Sequence, residues 1–106
     1  MSFCVVELTQ GFVAVVDAKD FDVVNGHGWH VHFSKGRDRP GGKPYARATI
    51  GGKKIYMHRL LTEAPKDMQV DHLNHCTLDN RRENLEIVDH LTNQERRRGQ
   101  NKARGN

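Results

Sequence analysis

Cysteine, proline and aromatic residues are scarce in this chain. Its 106 residues include two Cys, three Pro, one Trp and only 7% aromatics. Cys4 and Cys76 can close at most one disulfide and form neither a disulfide framework nor a CxxC pair, so a reducing, intracellular setting is expected. The longest apolar run, Phe12 to Val16, is far too short to cross a bilayer, which excludes a membrane span. Met1 to Glu7 offers no basic leader before its first charge, so no secretory signal is expected. With 36% hydrophobic and 28% charged residues the composition is that of a small folded domain, not a disordered chain.

What the chain does have is charge, and the charge is segregated. The net +4 hides a balance of −3 over residues 1–34, +7 over 35–59, −5 over 60–95 and +5 over 96–106. Two basic blocks bracketing an acidic segment point to a polyanion, most simply nucleic acid, although solvated surfaces and a frayed tail give the same tally.

Hydrophobic periodicity predicts the body. Residues 3–8 and 11–16 read as a hairpin about Thr9-Gln10-Gly11. Asp17 to Asn25 reads as a short helix with Asp17 as its N-cap. Trp29, Val31 and Phe33 alternate with His30 and His32 as a strand, and Ser34 to Lys43 reads as a mobile basic loop. Pro44–Ile50 and Lys53–Met57 form a second hairpin, with Tyr45, Arg47 and Thr49 on one face and Ala46, Ala48 and Ile50 on the other. His58 to Glu63 is a short helix, and His58 is expected to pack under the strands that follow. Gln69–His72 and Leu85–Val88 are short strands around a polar turn, and Asp89 is expected to cap a helix reaching about Gly99.

Chemistry concentrates after Val70. Asp71 and His72 adjoin at a strand end, and Asn93 follows His90 by one helical turn. Folded as strand, strand and helix, these residues can share one cleft. A carboxylate and an amide oxygen suit a hard divalent cation, and an imidazole beside them suits a general base. That is the equipment of metal-assisted phosphodiester hydrolysis. Asp71 and Asn93 also serve equally as turn or helix caps. A structural zinc site from His72, His75, Cys76 and His90 is a weaker alternative, because its ligand spacing is poor for a tetrahedral cage.

The run Asp71-His72-Leu73-Asn74, then Asp79-Asn80-Arg81-Arg82-Glu83-Asn84-Leu85, then Asn93 resembles the HNH (His-Me finger, ββα-metal) endonucleases over about residues 68–98. The resemblance implies His72 as general base, Asp71 and Asn93 as ligands of one Mg²⁺, Mn²⁺ or other hard cation, and Asn84 as the structural Asn of the motif. It leaves His90 as an accessory catalytic candidate. Asn in place of the third motif His favours a hard metal over zinc. Upstream, Tyr45 to Leu60 resembles the segment before the motif in phage proteins of this kind, similar to the ethylene-response-factor DNA-binding sheet. The implied α+β architecture is an antiparallel DNA-binding portion (1–66), a ββα-metal nuclease module (67–99) and a basic tail (100–106). The implied protein is a free-standing phage or homing-type enzyme in the host cytoplasm that cuts double-stranded DNA, as a monomer or homodimer. Arg37, Arg39, Lys43, Tyr45, Arg47, Lys53, Lys54, Arg96, Arg97 and Arg98 are the candidate DNA contacts. A catalytically silent DNA-binding module and an RNA-directed nuclease are the competing readings.

Overall fold

A computed structural model describes residues 2–36 and 39–89, with residues 35, 36 and 39–41 as backbone alone. The fold is α+β, built from antiparallel sheets and short helices. Strands β1 (Phe3–Glu7) and β2 (Val13–Asp17) pair with Val5 opposite Val15. Their connection turns through Gln10 (φ 61°) and Gly11 (φ 81°), the left-handed conformations a tight reversal requires. After a 3₁₀ turn at Ala18–Asp20 and the single turn α1 (Phe21–Val24), the chain enters a three-stranded sheet. This comprises β3 (His30–Gly36), β4 (Arg39–Ile50) and β5 (Lys53–Tyr56), in that order. Helix α2 (Met57–Thr62) ends on Glu63 in the left-handed region, and β6 (Met68–His72) pairs with β7 (Leu85–Asp89).

Alternation along the strands builds the core. Ala14 and Val16 of β2, Trp29 just before β3, Ala46 and Ala48 of β4, and Val24, Met57 and Leu61 of the helices are all buried together. The indole N–H of Trp29 donates to the Val24 carbonyl at 2.8 Å, so the polar edge of the largest core residue is satisfied.

Three sequence expectations are corrected. Asp17 does not cap the following turn; its carboxylate accepts from the backbone N–H of Arg82 at 2.9 Å, far along the chain. The expected helix from Asp17 divides into the 3₁₀ turn and α1. Of Ser34 to Lys43, expected as a loop, residues 34–36 and 39–43 are strand. Their pairing shifts register between Ser34 and Gly36, and Gly42 lies where a Cβ would strike the Ser34 carbonyl, so its missing side chain lets the backbones close. At the other end β7 includes Asp89; the helix expected after it lies outside the described residues.

Residues 73–84 connect β6 to β7 and are clamped from outside. The N–H of Val15 donates to Leu78 O (2.9 Å), and Asn80 N–H donates to Val15 O (2.7 Å). Thr77 donates its hydroxyl hydrogen bond to the Pro44 carbonyl of β4. Arg82 grips the buried Asp20 with two bonds, Nε to Oδ2 at 2.8 Å and Nη2 to Oδ1 at 3.1 Å. Arg82 is half exposed and Asp20 is not, so deleting the two partners has unequal cost. Arg82→Ala strands a buried carboxylate and is expected to lose about 2 kcal/mol in urea unfolding. Asp20→Ala, which leaves an arginine that water can solvate, is expected to lose clearly less.

Candidate active site

The polar turn closes around two buried asparagines. The Asn84 side chain accepts from Asn74 N–H at 2.9 Å and donates to the Asp79 carbonyl at 2.8 Å, while its own carbonyl accepts from Leu73 N–H. Asp79 in turn accepts from Arg81 Nε and Nη2, both at 2.8 Å, and from the Asn74 amide at 2.9 Å. The Arg81 bonds come first among the causes that hold the Asp79 carboxyl below its usual range.

This frame carries the end of β6, where Asp71 lies opposite Glu86 and His72 opposite Leu85. Both line a cleft of about 300 Å³ together with Lys43 and Tyr45 of β4, Tyr56 of β5 and His58 of α2. His72 is buried, and its Nε2 lies 2.8 Å from Asn80 Oδ1. Burial lowers its pKa from 6.5, against the opposing pull of the Asn80 bond and the charges of Asp71 and Asp79, so the ring is neutral at pH 7. Beside it His58 packs edge to face, with ring centres 5.2 Å apart. Tyr45 contacts both histidines, and Tyr56 lies tilted against His58 and edge to face with Tyr45.

The rings continue outward over one face of the larger sheet. His32 lies opposite Tyr45, and Arg47 opposite Tyr56, with its guanidinium 5.8 Å from the ring centre. Alternation puts Lys43 and Lys54 on this face too, while Lys53 falls on the opposite one with Ile50. Of the candidate DNA contacts, then, Lys43, Tyr45, Arg47 and Lys54 share a face and Lys53 does not. Arg37, His90, Asn93, Arg96, Arg97, Arg98 and the side chain of Arg39 lie outside the described residues. Among the described residues no three His, Cys, Asp or Glu side chains gather as a metal cluster; His75 and Cys76, named for a zinc site, are exposed.

Residues 56–95, from Tyr56 through the turn and beyond β7, match the family model for HNH endonucleases. Over this segment the chain is similar to the HNH endonuclease family. The match begins upstream of the motif run, so α2 and its His58 fall inside the HNH segment with Asp71, His72, Asn80 and Asn84. No curated protein and no solved structure matches the chain. No helix among the described residues is long and apolar enough to cross a membrane.

Sequence reasoning assigned no role to Asn80, Asp79 or Tyr56. The first two stand inside the quoted motif, yet nothing in spacing says that Asn80 reaches back to His72. Arg59 was also unassigned; its guanidinium ties α2 to the next strand through the carbonyls of Pro65 (2.8 Å) and Met68 (2.9 Å).

Two outcomes are expected from the HNH segment. Asn84→Ala removes two hydrogen bonds that close the turn and leaves the Asp79 carbonyl short of a donor; a loss of about 2–3 kcal/mol is expected by denaturant unfolding. His58, driven down to a pKa of about 3 by burial, stays neutral when folded, whereas in the unfolded chain it takes a proton below about 6.5. Stability is therefore full above that pH and is lost as pH falls toward 3, with a slope of up to about 1.4 kcal/mol per pH unit. His58→Phe, which keeps a ring but cannot titrate, is expected to flatten that slope in unfolding measured between pH 7 and 5.

Proposed function

We propose that this chain is a divalent-metal-dependent HNH endonuclease that hydrolyses phosphodiester bonds in double-stranded DNA, with His72 as general base. The observation that supports it is a buried imidazole of lowered pKa lining a basic and aromatic cleft, next in sequence to the carboxylate of Asp71. His72 takes the proton of the attacking water, and its lowered pKa keeps it competent to do so below pH 6.5. Asn84 acts at one remove by holding the turn that carries the strand ends.

The donor set fits a hard cation. Asp71 and Asn93 offer oxygen ligands, and no cysteine is among the described residues that line the cleft. Such an ion, held by these two residues, would supply charge stabilisation at the scissile phosphate and the leaving 3′ oxygen. Lys43, Tyr45, Arg47 and Lys54 form the sheet face on which the duplex lies, with Arg37, Arg39 and the Arg96–Arg98 run as further phosphate contacts and His90 as an accessory catalytic group; Lys53, on the opposite face, is left out of this set. Residues 67–99 act as the nuclease module and 1–66 as the DNA-holding portion, followed by the basic segment 100–106.

Supercoiled-plasmid cleavage tests the reading. Mg²⁺ is expected to drive conversion to open circle or linear product, and EDTA to stop it. His72→Ala is expected to cut the rate by on the order of 10²- to 10⁴-fold while DNA binding persists, and the acid limb of the wild-type rate profile is expected below pH 6.5. Salt-sensitive DNA binding without any cleavage would instead identify a silent DNA-binding module, and preference for RNA an RNA-directed enzyme.

A further inference from the structure

We infer that Asn80 is a positioning residue for the reaction: its side-chain oxygen fixes the proton of His72 on Nε2, so that Nδ1 is the basic nitrogen. The inference rests on His72 being the general base. It deepens that reading by naming which ring atom does the work and what selects it.

Asn80 is 1% exposed, and its Oδ1 stands 2.8 Å from His72 Nε2. An amide oxygen can only accept, so this contact exists only when Nε2 carries hydrogen, and a neutral imidazole then has Nδ1 unprotonated. The oxygen is not free to swing. The backbone of Asn80 is pinned to β2 through Val15 O at 2.7 Å, and its neighbour Asp79 is chelated by Arg81 and bridged to Val15. His58 and Tyr45 pack against the imidazole as well.

Asn80 Nδ2 is a buried donor with no hydrogen-bond partner among the described residues. An orphaned N–H group is costly, and leucine, of nearly the same shape, would fill the space without it. What the amide contributes is therefore the single bond made by its oxygen. A flipped amide would point Nδ2 at the ring, place the proton on Nδ1 and close that nitrogen to a water's proton.

The test is long-range ¹H–¹⁵N correlation of the His72 ring in the full chain without metal, at about pH 8 where the ring is neutral. Wild type, Asn80→Leu and Asn80→Asp are compared, with Mg²⁺-dependent plasmid cleavage as a second readout. In wild type the proton is expected on Nε2. Asn80→Asp keeps an acceptor and is expected to keep that tautomer. Asn80→Leu is expected to give a mixture of tautomers and to lower kcat by about 10²-fold with KM unchanged. A proton on Nδ1 in wild type overturns the inference, and so does an Asn80→Leu protein with wild-type tautomer and kcat. If the leucine variant does not fold, the wild-type and aspartate spectra still decide. An Nε2-protonated His72 in a protein that cleaves no nucleic acid upholds the hold of Asn80 on the ring and sinks the nuclease reading instead.

Discussion

Twelve mostly polar residues between two five-residue strands would not by themselves hold a shape, since an isolated two-stranded hairpin is marginal in water. The closure of residues 73–84 around Asn84 and Asp79 is what the rest of the site depends on. Asn84 joins the two ends of the turn, Asp79 gathers Arg81 and Asn74, and the resulting network leaves few buried groups unmatched. Because each bond is short and the members share partners, the turn behaves as one rigid piece and not as a loop with a motif written on it.

That piece is then borrowed into the larger fold. The edge of β2 pairs with Leu78 and Asn80, Asp17 and Asp20 hold Arg82, and the Pro44 carbonyl receives Thr77. A small domain has too little apolar surface to fix a long connection by burial alone. Here charge-assisted and backbone hydrogen bonds do so, and the hydrophobic core of Val16, Ala48, Met57 and Leu61 needs only to fix the sheets against one another.

The cleft shows the same division of labour between faces. On the three-stranded sheet, Ala46 and Ala48 turn inward, so small residues allow α2 to approach closely. Their alternates, Tyr45 and Arg47, then stand on the outer face and run toward His58 and His72. His58, deeply buried against His72, is held neutral chiefly by its burial and next by that neighbour, and burial lowers the pKa of His72 as well.

Much of this was legible along the chain, where the determining interactions are local. Alternating side chains marked β2, β4 and β5; Gln10-Gly11 and Gly51-Gly52 marked reversals; the Asp71-His72 and Asp79–Leu85 spacings marked the segment that matches the HNH family. The basic stretch at 34–43 was misread as a loop because glycine signals flexibility in sequence, whereas Gly42 serves close backbone approach. Asp17 was misread as a cap because capping is judged against the next few residues, and its partner lies at Arg82. What the amino-acid order determined by itself is the set of elements and the residue types delivered to the end of β6. Only the tertiary structure decided that Asn80 meets His72, that His58 and Tyr45 flank it, and that Lys53 turns away from Lys54's face. Those outcomes depend on how strands distant in the chain register and pack, and no local spacing encodes a contact between surfaces that meet only on folding.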